Sequence, residues 1–306
     1  MNSIKIIATG KYLPEKVIYN QIVEKENNYE DGYIYDRTGI EKRHYVENQT
    51  LNDIAILSVE DMLRKNKEIN IKDIDLIIAT STTIDNIMPS LSYKVQEYFN
   101  IKNCMCLDIL AGCSGYINAV DIAQKYLSLG ERKCALVIGA EVISKNKYLN
   151  LKDKILFGDG AGCIVIKKCE EEKEYNSLIE SISEGNDMLT CNLEHELYMN
   201  GKNVYKFATT KTVENISKLL EKTNKKIEDI KYVIPHQSNM RIIEKIAQKT
   251  KLNVYTNIQD IGNTFCASIP IALDELFEKN ELKTGDKIIL LGYGGGLNLG
   301  SILMEV

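Results

Sequence analysis

Cys113 stands in the string Ile109-Leu110-Ala111-Gly112-Cys113-Ser114-Gly115-Tyr116, between an apolar stretch and a long apolar helical pattern. Its small neighbours leave room for a carbonyl carbon to approach the sulfur. The start of a helix, with its dipole and free N–H groups, favours thiolate. Those are the needs of a nucleophile, although a cysteine in such a stretch is equally at home as a packing residue. A thiolate needs a partner, and the sequence offers three histidines, His44, His195 and His236. His44 and His195 sit in charged, polar stretches. His236, in Val233-Ile234-Pro235-His236-Gln237-Ser238-Asn239, follows directly on a buried-strand pattern. The carboxyl ends of strands in an open α/β sheet are where ligands collect. Asn263, in Ile261-Gly262-Asn263-Thr264-Phe265-Cys266, follows a glycine and opens a small-residue, helix-like segment. Its amide can donate to a developing negative charge.

The elements that must position these residues alternate strand and helix along the whole chain. Short apolar runs at Ile74–Thr80, Ala135–Gly139, Ile164–Ile166, Tyr232–Ile234 and Ile288–Leu291 predict strands buried on both faces. Helices are predicted over Thr50–Lys65, Ser114–Leu129, Thr209–Glu221 and Asn239–Gln248. An internal echo links Ile71-Lys72-Asp73-Ile74-Asp75-Leu76-Ile77-Ile78 to Ile227-Glu228-Asp229-Ile230-Lys231-Tyr232-Val233-Ile234, 156 positions later. Each copy follows an amphipathic helix, which points to a duplicated chain. Two glycine-rich strings, Phe157-Gly158-Asp159-Gly160-Ala161-Gly162 and Gly292-Tyr293-Gly294-Gly295-Gly296, each run into a strand. They are therefore neither phosphate loops nor dinucleotide fingerprints. Glycine there serves tight turns or close backbone approach to a ligand.

The chain has 306 residues, enough for one large domain or two halves. A net charge of −5 argues against broad nucleic-acid binding. No run approaches the roughly 18 to 20 apolar residues of a membrane helix. The N-terminal residues read as a first strand rather than a signal peptide, so a cytoplasmic location is expected. Eight cysteines in that setting are expected to be reduced thiols. Cys104 and Cys106 form a C-x-C, no C-x-x-C occurs, and no metal site is expected.

Cys113, His236 in His-Gln-Ser-Asn and Asn263 in Gly-Asn-Thr resemble the Cys-His-Asn set of the 3-oxoacyl-[acyl-carrier-protein] synthase III family, within the thiolase superfamily. The resemblance extends through Gly10-Lys11-Tyr12-Leu13-Pro14, Arg37-Thr38-Gly39-Ile40-Glu41-Lys42-Arg43, both glycine-rich strings and Met199-Asn200-Gly201-Lys202-Asn203-Val204-Tyr205-Lys206. It implies an α/β, duplicated thiolase-like fold of five layers, α-β-α-β-α. An N-terminal half, 1–168, would carry the cysteine, and a C-terminal half, 169–306, the histidine and asparagine. The implied reaction is decarboxylative condensation of an acyl-CoA with malonyl-[acyl-carrier protein], the opening step of fatty acid synthesis. Cys113 would be acylated, His236 and Asn263 would stabilise the malonyl enolate, and the N–H groups of Cys113 and Gly295 would form an oxyanion hole.

The same resemblance implies the ligand channel. Tyr33 aligns with a ring that stacks on the CoA adenine, in a chain without tryptophan. Arg37 and Arg241 align with phosphate or carrier-protein contacts and Gly201 and Asn239 with pantetheine contacts, and Phe157 and Tyr205 are also expected to bind substrate. Met88 aligns with a residue that crosses a homodimer interface into the partner's acyl pocket. Phe265 and Cys266 replace smaller residues beside Asn263. The segment Ser144–Lys154 is short, so no basic residue within it is assigned to CoA. No cofactor is implied beyond CoA and phosphopantetheine thioesters as substrates, and neither nucleic acid nor membrane is an implied partner. The alternatives are a specialised member that condenses unusual acyl groups or transfers them to oxygen or nitrogen, and a non-catalytic carrier-protein-binding partner. A dinucleotide oxidoreductase lacks the strand–glycine–helix unit it would need.

Overall fold

The computed structural model describes residues 3–146, 155–192 and 196–306. The apolar runs become strands of two sheets. In the first, strand Ser3–Tyr12 pairs antiparallel with Gly160–Cys169. Next come Cys134–Glu141, Leu76–Thr80 and, at the edge, Met105–Ile109. The second sheet runs Tyr232–Pro235, Lys287–Gly294, Asn298–Glu305, Tyr175–Ser181.

The order and sense of pairing repeat. A parallel pair is followed by two antiparallel ones in each sheet. In the second sheet a single parallel bridge, Val233 to Val254, stands where the first has its edge strand. The echoed strings fall at the same place in each half: a one-turn 3₁₀ helix, Ile71–Asp73 or Ile227–Asp229, leads into a central strand. Cys169 ends the last strand of the first sheet, and Tyr175 opens the first strand of the second.

Two helices lie between the sheets. Gly115–Leu129 buries Tyr116, Ile117, Val120, Ala123 and Leu127 and packs against strands of both sheets. Ser268–Glu278 is its counterpart. One apolar core unites these helices with inward residues of both sheets, among them Leu76, Val137, Ile234 and Leu290. The outer faces are covered by Leu51–Lys65 and Leu91–Tyr98 on the first sheet, and by Gly201–Thr223 and Met240–Thr250 on the second. The layers are therefore α-β-α-β-α. Thr50 opens the Leu51–Lys65 helix with a reciprocal cap, its side chain and that of Asp53 each bonding the other's backbone N–H.

The helix expected from Thr209 begins eight residues earlier, at Gly201, where the Asn200 side chain accepts from the Asn203 N–H at 3.2 Å. Its first two turns carry Lys202, Asn203, Tyr205 and Lys206, whose polarity hides the helical period. Among the described residues, the carboxylates close enough to share a cation are Asp61, Asp274 and Glu278. Lys11 and Lys65 fill that cluster, 2.9 and 2.8 Å from the buried Asp274, and tie the outer helix to the central one. No helix among the described residues is long and apolar enough to cross a membrane.

Candidate active site

Cys113 occupies a 3₁₀ turn, Gly112–Ser114, that leads into the central Gly115–Leu129 helix. The turn is packed from the far sheet. A Cβ on Gly294 would lie 2.8 Å from Cys113 Cβ, 3.2 Å from its N and 3.3 Å from its Sγ. Gly294 is glycine because the sulfur's own residue fills the space. The other glycine-rich string has a different use. A Cβ on Gly158 would meet the Ile261 carbonyl at 2.2 Å, and one on Gly162 would meet Pro270 at 2.9 Å. Those glycines let the two halves touch rather than admit a ligand.

Asn263 is fixed by that contact. Its N–H donates to Leu156 O at 2.8 Å, and its own carbonyl accepts from Gly158 N–H at 3.0 Å. Its side-chain Oδ1 accepts from Phe265 N–H at 2.9 Å, which turns Nδ2 towards the cavity and the Ser238 carbonyl at 3.5 Å. His236 follows the Tyr232–Pro235 strand and meets Tyr293 edge to face at 5.4 Å. Its Nδ1 lies 2.8 Å from Ser268 Oγ, so the protein holds that nitrogen and leaves Nε2 for the cavity.

Cys113, His236 and Asn263 are 6, 2 and 6% exposed and share one cavity of about 380 Å³. Phe157, Gly201, Tyr205, Asn239, Arg241, Arg37 and Phe265 also line it, so the structure brings most of the expected residues together. Among the described residues its charged lining consists of Arg37, Lys202 and Arg241, all exposed, with no carboxylate. A second cavity of about 950 Å³ opens beyond Cys113 and includes Gly295, Ile87, Leu110 and Cys191. Cys113, Leu189, Leu197 and Phe265 line both cavities and form the junction between them. Phe265 holds a left-handed φ of 47° and stacks on Phe157 at 4.7 Å.

Burial governs the ionisation here. It pushes the Cys113 thiol up to about 12, Glu141 adds to the rise, and the residue's own backbone N–H pulls the other way. Desolvation thus opposes the thiolate that a helix start favours. Burial also lowers His236 to about 3, against a smaller upward pull from the Phe265 backbone. The imidazole is neutral at physiological pH and carries one N–H and one lone pair.

A thiol, a neutral imidazole and an oriented amide at the foot of a cation-mouthed channel suit acyl transfer. Comparison with known proteins gives the lineage. The family model described as 3-oxoacyl-[acyl-carrier-protein] synthase III matches residues 107–185, and the model of its C-terminal part matches 220–306. The β-ketoacyl-[acyl-carrier-protein] synthase III of Clostridium novyi is 39% identical over 325 aligned residues, covering 100% of this chain and 99% of that protein. This chain belongs to the synthase III family. The synthase III of Clostridium acetobutylicum is also 39% identical, over 327 residues with the same coverage. The crystal structure of 3-oxoacyl-[acyl-carrier-protein] synthase III from Aquifex aeolicus superposes with a TM-score of 0.95 at 35% identity, covering 99% of this chain and 100% of that one.

The surroundings of the other expected residues of this synthase III chain differ from one to the next. Tyr33 does not line the cavity. Tyr29 stacks on it at 4.4 Å, and the Arg37 guanidinium lies 3.7 Å from the ring centroid. Both cannot occupy one face, so the ring is sandwiched, and an adenine reaches it only by displacing one neighbour. Asn239 lines the cavity, but its Oδ1 caps the Met240–Thr250 helix and its Nδ2 donates to the Arg37 carbonyl at 3.0 Å. Met88 is 85% exposed and lines neither cavity. His44 Nδ1 lies 2.6 Å from the Pro14 carbonyl, away from the cavity, and His195 lies outside the described residues. So do 147–154 of the short segment, while Lys145 Nζ donates to the Gln49 carbonyl at 2.8 Å.

Sequence reasoning missed Lys202, Tyr293, Ser268 and the buried Arg43. Arg43 donates to the Ile155 carbonyl at 2.8 Å under the loop that carries Phe157. The charged Arg37–Arg43 string gave no signal that one cation is wholly interior.

Proposed function

We propose that this chain is a cytoplasmic 3-oxoacyl-[acyl-carrier-protein] synthase III that opens fatty acid synthesis. Cys113 attacks an acyl-CoA thioester, forming the acyl-enzyme, and the thiol proton leaves with the departing CoA sulfur as CoA–SH. Malonyl-[acyl-carrier protein] then loses CO₂. The bonding pair passes into an enolate, whose oxygen accepts from His236 Nε2–H and Asn263 Nδ2. The enolate carbon attacks the acyl carbonyl and Cys113 departs, recovering its proton from solvent. Backbone N–H groups of Cys113 and Gly295 hold the oxyanion in each addition. The bond changes balance with the chain's own groups, two thioester substrates and one solvent proton.

One observation carries this reading: the buried Cys113, His236 and Asn263 lie in a cavity whose exposed charges, among the described residues, are all cationic, Arg37, Lys202 and Arg241. An acidic protein that keeps such a mouth suits a phosphate-bearing ligand. The names borne by relatives at 39% identity favour this condensation over a specialised acyl transfer.

The assembly proposed is a homodimer with halves 1–168 and 169–306 in each protomer. Strand Met105–Ile109 is bonded on one side only among the described residues. Apolar Ile87, Met88 and Leu110 are exposed nearby, beside the open second cavity. An unpaired edge with apolar surface is suited to pairing.

The test is mass spectrometry of Cys113 after acyl-CoA exposure, with CO₂ release from malonyl-[acyl-carrier protein] followed in parallel. Both activities are expected in the native protein and neither condensation nor acylation in Cys113→Ala. Acylation of another cysteine with turnover intact would overturn the assignment.

A further inference from the structure

We propose that Ser268 is a positioning residue that sets the tautomer of His236, its hydroxyl turning onto Nδ1 so that Nε2 carries the proton in the condensation half-reaction. This rests on the role given to His236 above and adds what selects the nitrogen that bears the hydrogen.

A neutral imidazole has one N–H, and its location follows from what faces the other nitrogen. Burial keeps the His236 ring neutral, so the question is one of tautomer rather than charge. The Phe265 backbone raises the ring's affinity for a proton, though less than burial lowers it. Ser268 Oγ lies 2.8 Å from Nδ1 and can accept or donate. Ser268 is fully buried, and its oxygen is held in place by the Gln237 N–H at 3.2 Å.

The hydroxyl has one hydrogen and two places to send it. It lies 2.8 Å from the Phe265 carbonyl as well as from Nδ1. That carbonyl already accepts the backbone N–H of Ser268, so the hydroxyl can leave it without stranding a buried acceptor. With the hydroxyl on Phe265, Nδ1–H donates to Oγ and Nε2 presents a lone pair. With the hydroxyl on Nδ1, Nε2–H is aimed into the cavity. Only the second arrangement gives the enolate oxygen a donor. No bond is made or broken by the turn itself. The ring proton changes nitrogen by exchange through the wet cavity, and its charge is unchanged.

Removing the hydroxyl takes away the group that can donate to Nδ1, so nothing holds the proton on Nε2. Ser268→Ala is therefore expected to acylate Cys113 at close to the parental rate but to release CO₂ from malonyl-[acyl-carrier protein] about 10²- to 10³-fold more slowly, the loss of one preorganised donor. Ser268→Cys keeps the volume nearly constant with a weaker donor and is expected to fall between the two. The deciding readout is ¹⁵N NMR of the imidazole, tractable because the sequence holds only three histidines. Nε2 should carry the pyrrole-type resonance in the parent and the pyridine-type resonance in Ser268→Ala. Unchanged ¹⁵N shifts in both folded variants, or undiminished CO₂ release from Ser268→Ala, would overturn the proposal. His236→Ala separates the two failures: if it releases CO₂ normally, the role assigned to the ring is wrong whatever Ser268 does.

Discussion

Gly294→Ala tests whether the reactive cysteine is placed by the far sheet. The new methyl would stand 2.8 Å from Cys113 Cβ and 3.3 Å from its Sγ. Carbon atoms settle at about 3.5 to 4.0 Å, so one side must retreat by roughly 1 Å. Gly294 cannot easily retreat, being the last residue of the Lys287–Gly294 strand and paired with Asn298. Cys113 must move instead, at the head of a helix whose first residues, Gly115, Tyr116 and Ile117, are buried. A displacement of about 1 Å at a reacting atom costs on the order of 10²-fold in rate, or about 2.7 kcal/mol of barrier. Overpacking of this kind costs about 1 to 3 kcal/mol of stability, so the variant should still fold. The assay is quenched-flow mass spectrometry of acyl-Cys113 with acetyl-CoA, alongside thermal unfolding. Gly201→Ala is the control, because a Cβ there meets nothing within 4 Å and the residue lines the same cavity. If Gly294→Ala acylates at the parental rate, Gly294 does not set the position of the sulfur.

Three further outcomes are expected. In the substrate-free protein, alkylation of Cys113 by iodoacetamide should climb steadily with pH towards its raised value of about 12; a plateau near neutrality would show that the helix start does dominate. His236 is lowered from 6.5 to about 3, so the folded state binds its proton less readily than the unfolded state. Its contribution, on the order of 5 kcal/mol, is therefore present above pH 6.5 and lost as pH falls through that window. Urea unfolding of His236→Gln should show a flatter loss between those values, and parallel curves would refute the assignment. Phe265→Ser, at the junction of the two cavities, should shift acyl-CoA preference towards longer or branched chains by roughly 10- to 200-fold. Competition assays read by the mass of acyl-Cys113 would show no shift if Phe265 does not set the passage.

The central strands were legible because strands covered on both faces carry unbroken apolar runs, as Leu76–Thr80 and Cys134–Glu141 do. The pairing of Ile71–Asp73 with Ile227–Asp229 was legible because duplication leaves the same local turn in each copy. Cys113, His236 and Asn263 could be selected by residue type and by their place at element ends. The ionisation of Cys113 could not, because a helix start is local whereas Glu141 and the far sheet arrive through the fold. The Leu189–Cys191 and Leu197–Met199 strands narrow the cavity but are short and half-exposed, with no pattern to announce them. One signal was available and unused: Arg37 stands four residues after Tyr33 on a helix, the spacing at which a cation reaches a ring.

The placement of the reactive residues sets how long an intermediate can wait. Cys113 heads one central helix and Asn263 lies just before the other, and both helices are clamped between sheets. Local openings that admit water are cheap at termini and surface loops and approach the full unfolding cost inside a shared core. On the proposed reading, an acyl group on Cys113 must survive the exit of one substrate and the arrival of the next. It is held on an element that does not open locally, so its lifetime against hydrolysis is governed by the water the two cavities admit rather than by local unfolding.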